Sequence, residues 1–157
     1  MKVELNEFEI SICQMIGGMR HLSNRANHIR DARVGKQSAL ETDQNGVIGE
    51  YAFCKHFNIH FDFDVSTRSG SYDCRLNNKR IDIKTTTYKR GHIVATLKDN
   101  PDVDIYVMAI LEGNIVTFPG WIEKENFIKP ENIKDLGHGN SYAIEQSQLK
   151  GWKNEPR

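Results

Sequence analysis

Residues 71–88 read SYDCRLNNKRIDIKTTTY, and the way the two halves of this stretch pair decides what the rest of the chain can be. Polar and apolar residues alternate up to Asn77-Asn78 and away from it, and asparagine tolerates the positive φ angles of a two-residue turn. The stretch predicts a β-hairpin pairing Leu76 with Lys79, Arg75 with Arg80, Cys74 with Ile81, Asp73 with Asp82, Tyr72 with Ile83 and Ser71 with Lys84. Strand side chains alternate faces, so Tyr72, Cys74, Ile81 and Ile83 form an apolar face while Asp73, Asp82 and Lys84 share the other. Like charges directly opposite each other destabilise a strand pair, so two carboxylates placed there need a cation between them. Mg²⁺ takes oxygen ligands, typically one or two carboxylates with waters and a substrate phosphate, and fits the arrangement. Lys84, two residues past Asp82, points at the same site.

Working outward, Val47, Ile48, Tyr51, Ala52 and Phe53 supply the apolar faces of a helix capped by Asp43 or Asn45 and running to about Phe57. Gly46 and Gly49 in it suggest close packing on the sheet, and Glu50 lies beside them. Ahead of it, Phe8, Ile12, Met15, Ile16, Met19 and Leu22 recur at helical spacing and predict a first helix from about Leu5 to about His28, with a loop over 31–43. Residues 59–65, IHFDFDV, alternate like a strand, residues 92–97 extend the sheet, and Val103 to Leu111 is an apolar run suited to a buried strand. Ile115 to Phe118 returns from it, a short helix lies near Glu123 to Phe127, and Tyr142 to Ile144 is a last strand. Residues beyond Lys150 are expected to fray.

Asp73, the hairpin, then Asp82-Ile83-Lys84, with Glu50 on the preceding helix, resembles the PD-(D/E)XK nuclease superfamily over roughly residues 46–121. The family's proline before the first acid is absent; Tyr72 stands there. The resemblance implies an α/β fold with a restriction-endonuclease-like core, one mixed sheet with a central β-hairpin flanked by helices. It implies a metal-dependent deoxyribonuclease in repair, recombination or phage DNA processing. Asp73, Asp82 and the Ile83 carbonyl would hold Mg²⁺ or Mn²⁺, Glu50 would support a water or second ion, and Lys84 would act on the nucleophile or transition state. Thr85, Lys89 and Arg90, with Arg25 and Arg30 of the first helix and the loop after it, are the expected DNA contacts. The helix that such cores usually place between their third and fourth strands has little room between Ala95 and Asp102. The alternative is a nuclease-fold protein that binds nucleic acid or inhibits without cutting.

The 157 residues suit one domain, with a helical part to about residue 40 and a core over about 44–128. Lys and Arg total 21 against 21 Asp and Glu, but Arg20, Arg25, Arg30, Arg33 and Lys36 form one basic block. Arg75, Lys79, Arg80, Lys84, Lys89, Arg90 and Lys98 form another, compatible with phosphate contacts. Cys13, Cys54 and Cys74 make no metal motif and read as buried thiols. The N-terminus is unlike a signal peptide and no apolar run reaches spanning length, so a cytoplasmic protein without membrane contact is expected. No phosphate-cradling glycine loop occurs, which argues against an ATP-driven enzyme. DNA is the expected partner, and a homodimer is left open.

Overall fold

The structure, a computed structural model, describes residues 1–27, 38–66, 72–98 and 100–153. Along the chain run β1 (Lys2–Glu4), α1 (Glu7–Ala26), α2 (Ala39–Phe57), β2 (Cys74–Leu76), β3 (Lys79–Thr86), β4 (Ile93–Ala95) and β5 (Ile105–Glu112). They are followed by β6 (Ile115–Thr117), β7 (Trp121–Glu123), α3 (Lys124–Phe127), β8 (Ile133–Asp135) and β9 (Asn140–Ile144). The main sheet is ordered β1-β6-β5-β3-β2, with β7 also on β5, while β4-β9-β8 make a second sheet. The architecture is a mixed α/β sheet with flanking helices.

Strand β5 organises the layers. Ile105, Val107, Ala109 and Leu111 pack with Val47, Ala52 and Phe53 of α2, while Tyr106, Met108 and Ile110 pack with Ile93, Phe127 and Ile144 on the other side. A strand covered on both faces reads as a continuous apolar run, as this one does. It pairs with β3 in parallel, Ile81 opposite Ile105 through Thr86 opposite Ile110. Parallel neighbours need a crossover of about a dozen residues or more. Residues 87–104 supply it with β4 rather than a helix, and β4 joins β9 in the second sheet, not the main sheet that residues 92–97 were expected to extend.

At the start of this parallel pair, Asp104 Oδ2 accepts from the Arg80 backbone N–H at 2.8 Å and from Nε at 3.0 Å, and Oδ1 accepts from the guanidinium at 2.8 Å. These bonds to Arg80 hold the Asp104 carboxyl at about 2, below the usual aspartate value of 3.8. A carboxyl lowered on folding stabilises the fold above its ordinary value and loses that contribution as pH falls through its folded value. Asp104→Asn is therefore expected to cost about 1 kcal/mol at neutral pH, a figure reduced for partial exposure. Its deficit should shrink in acid; chemical denaturation across the acid limb checks this, and a pH-independent deficit refutes the assignment.

Three sequence expectations need correction. Helix α2 starts at Ala39, capped not by Asp43 or Asn45 but by Ser38, whose side chain accepts from Glu41 N–H while Glu41 reaches back, the reciprocal box that a Ser-x-x-Glu sequence encodes. Residues 59–65 pair with no strand among the described residues; the Asp62 and Asp64 carbonyls accept from Arg20 at 2.7 and 3.1 Å instead. The first helix stands as expected from its apolar spacing; it buries Cys13, Ile16, Gly17 and Arg20, whereas Phe8, Ile12, Met15, Met19 and Leu22 are exposed. The segment after Lys150 is anchored as far as Trp152: Lys150 exchanges backbone bonds with Trp121, and the Trp152 indole donates to the Phe118 carbonyl at 2.9 Å. Among the described residues no helix is long and apolar enough to cross a membrane.

Candidate active site

The site is built on the hairpin β2–β3. Asn77 and Asn78 have φ of 48° and 64°, the left-handed pair that a type I′ turn requires. The turn fixes the predicted register as far as Cys74 opposite Ile81. There the ladder departs from expectation. Asp73 N–H donates to the Ile81 carbonyl at 2.8 Å, the group already opposite Cys74, so two residues of one strand face one of the other, as at a β-bulge. An inserted residue inverts the alternation before it. Tyr72 accordingly packs against the core beyond the sheet, while Cys74 stays in the helix-side core. Asp73 is therefore not cross-strand from Asp82, and Tyr72 does not share the Cys74 face.

The bulge turns the Asp73 carboxylate onto the edge of β3, where Oδ2 accepts the Ile83 N–H at 2.7 Å. The backbone N–H and C=O of one strand residue point to the same side. Arg80 exchanges both its groups with the Asp104 end of β5, which assigns Asp82 and Lys84 to the β5 side and sets the Ile83 carbonyl on the edge with Asp73. On the sheet face beyond the helices, Lys84 Nζ meets Asp82 Oδ1 at 2.8 Å and lies 5.9 Å from the Tyr106 ring centre. On the helix side, Glu50 of α2 pairs with Arg20 of α1 at 2.8 Å, both largely buried. A pocket of about 190 Å³ opens between these elements, lined by Arg20, Asn24, Asp43, Glu50, Ser66 and Asp73 among others.

Electrostatics tie the two faces together. Burial first, then the charges of Glu50 and Asp82, push the Asp73 carboxyl well above the usual carboxylate range, against the opposing pull of Lys84 and the Ile83 N–H. Burial alone would lower the Lys84 ammonium, but the negative charges of Asp82 and Asp73 outweigh it and raise its pKa. Lys84 thus stays a cation at neutral pH and is unsuited to act as a base. Among the described residues no three or more His, Cys, Asp or Glu side chains converge as a metal-holding group. An ion here would rest on Asp73, Asp82 and the Ile83 carbonyl, with water or phosphate completing the shell, a donor set that hard divalent cations accept.

The remaining expected residues scatter. Thr85 lies on the helix side of β3, its hydroxyl buried without a hydrogen-bond partner and packed so closely on Gly49 that an added Cβ there would come within 2.1 Å of Oγ1. Lys89 pairs with Glu112 at 3.2 Å, and Arg90 is exposed beside it. Arg25 is exposed in the last turn of α1, and Arg30 lies outside the described residues. The basic blocks are partly spoken for: Arg20, Arg80, Lys84 and Lys89 each hold a carboxylate.

No protein family, curated protein or solved structure matches the chain in sequence or fold comparison. The site's geometry alone therefore carries its interpretation. Sequence reasoning overlooked Arg20 as a member of the site. The signal was present, because residues 13, 16, 17 and 20 form one i, i+3, i+4, i+7 row, and a charged residue closing a buried row must meet a partner. His21, which pairs at 2.8 Å with the pocket-lining Asp43, was overlooked too, and no local pattern announces it.

Proposed function

We propose that the chain is a divalent-metal-dependent DNA nuclease that hydrolyses phosphodiester bonds, with a restriction-endonuclease-like arrangement about β3 and a role in repair, recombination or phage DNA processing. The observation that carries this reading is the Asp73 carboxylate turned onto the Ile83 N–H, with Asp82 and Lys84 on either side of that residue. Asp73, Asp82 and the Ile83 carbonyl would hold Mg²⁺ or Mn²⁺, and Glu50, already oriented by Arg20, would support a neighbouring water. When bound, such an ion supplies positive charge against the scissile phosphate and acidity to a water. Lys84 keeps its charge and is placed to stabilise the negative charge that grows in the transition state. Lys89, Arg90 and Arg25 remain the proposed phosphate contacts.

The test is incubation with plasmid, linear duplex, single-stranded and branched DNA in Mg²⁺ or Mn²⁺, with Asp82→Ala as control. Cleavage by the wild type and none by the variant supports the reading; equal cleavage by both removes the site from the chemistry. Lys84→Ala should slow cleavage about 10²–10³-fold, the usual loss for one electrostatic stabiliser. It should also lower the melting temperature in chelator, since Asp82 is left buried without its cation. Added metal should recover part of that loss; an unchanged rate excludes Lys84 from catalysis.

One observation favours the second reading, a nucleic-acid-binding or inhibitory protein on the same scaffold. Glu50 and Asp82 each already hold a protein cation. DNA binding that persists in Ca²⁺, with no cleavage of any substrate in any metal, would select it.

A further inference from the structure

Helix α1 has two faces that do different work. Its buried row meets α2, while Phe8, Ile12, Met15, Met19 and Leu22 are 81, 44, 61, 46 and 68% exposed. Their intervals of four, three, four and three residues trace the seam along which two helices pack in a coiled coil. Together they expose roughly 500 Å² of apolar surface, at the upper end of what a soluble monomer leaves contiguous. We propose that this seam joins two copies of the chain into a two-fold dimer, the α1 helices antiparallel and Met15 on the axis.

The occupant follows from the symmetry and charge of the stripe. Phe8 and Leu22 lie equally far from Met15, with Ile12 and Met19 a turn away on either side, so the stripe matches itself when reversed. Phe8 meets the partner's Leu22, and Ile12 meets the partner's Met19. The first turn of α1 carries Glu7 and the last carries Arg25. Antiparallel pairing brings these opposite charges together and opposes the helix dipoles, whereas parallel pairing sets like against like. With its uncharged flanks Ser11, Gln14 and Gly18, the seam and its border approach the roughly 800 Å² per partner that a standard interface buries. The same flanks lack the lysines and arginines with which a helix grips an anionic membrane.

The test is sedimentation velocity of the full chain, independent of any nuclease activity. The wild type should sediment as a dimer at micromolar concentration. Met15→Glu should weaken self-association at least tenfold, with a melting curve that matches the wild type once both are diluted to monomer, because the position is exposed and two copies place like charges on the axis. Mixing Met15→Glu with Met15→Lys should restore a dimer. Met15→Cys should cross-link between copies under oxidation while Phe8→Cys should not. A monomeric wild type at high concentration, or an undiminished Met15→Glu dimer, overturns the proposal. Ready cross-linking through Phe8→Cys overturns the antiparallel arrangement, and a monomer that binds anionic vesicles through Met15 assigns the stripe to a lipid surface instead.

Discussion

Asp73→Asn should melt several degrees higher than the wild type in chelator at neutral pH, and should lose both cleavage and the response to Mg²⁺ or Mn²⁺. Burial, Glu50 and Asp82 raise the folded pKa of this carboxyl, whereas the unfolded chain titrates it normally. Below the ordinary aspartate value both states are protonated, and the group contributes nothing. As pH rises from there to the raised folded value, the native state is progressively penalised, and above it the penalty is constant. Asparagine removes the charge but keeps an oxygen for the Ile83 N–H, so its advantage should vanish in acid and grow as pH rises toward the raised folded value. Asp73→Ala removes that acceptor as well, and an unsatisfied buried N–H costs about 1–3 kcal/mol, so alanine should melt below asparagine. In the wild type, metal at a hundredfold excess over its dissociation constant adds about 2.7 kcal/mol, or roughly 5–10 °C for a chain of this size. An asparagine variant that melts lower yet shifts fully with metal would show that Asp73 binds no ion.

The second large effect lies away from the acids. In Gly17→Ala the new Cβ would stand 2.6 Å from Gln44 Cα, 2.9 Å from Gln44 N and 3.0 Å from the Asp43 carbonyl oxygen. All three are backbone atoms of α2, so no rotamer change relieves the clash and the helices must part. The expected cost is about 3 kcal/mol, the upper part of the range for overpacking, which lowers the melting temperature by roughly 6–12 °C. Arg20, one turn on, would lose its alignment with Glu50 and with the carbonyls of Asp62 and Asp64, so activity should fall beyond the loss of folded protein. Gly18→Ala is the matched control. Its Cβ meets only the side chains of Gln44 and Leu40 at 3.9 and 4.0 Å, and alanine favours helix by about 1 kcal/mol over glycine, so it should be neutral or stabilising. Equal behaviour of the two variants would refute the close helix crossing.

These contrasts mark where the sequence was legible. Two asparagines with alternation on either side fix a register, because a two-residue turn leaves the strands no freedom, and the apolar run of β5 has one good home between two covering layers. The bulge at Asp73 was not legible: it adds no residue type that alternation lacks, and only the carboxylate's preference for a backbone N–H draws it off the strand. The apolar spacing of α1 marks a helix but not its buried face, which runs through Gly17 where the backbone of Gln44 approaches closely. Alternation over residues 59–65 reads as a strand, yet Phe61 is buried while Phe63, in the same phase, is exposed, and the carbonyls of Asp62 and Asp64 are met by Arg20 from far along the chain. The β3–β5 crossover through a second sheet depends on β9, about fifty residues beyond β4, and no local pattern encodes that pairing.

Among the described residues the ladder of β2 stops at Cys74, and beyond it the edge of β3 carries peptide groups of the kind on which a foreign strand can grow. Asp73 stands in the way of such growth: its carboxylate occupies the Ile83 N–H and sets a largely desolvated acid where an incoming strand would have to lie. Protection against edge-to-edge aggregation and the proposed chemistry therefore reside in one side chain. In Asp73→Asn, relief of the buried charge and loss of that charge from the strand edge would come together, so the variant expected to melt higher is also the one expected to self-associate more readily.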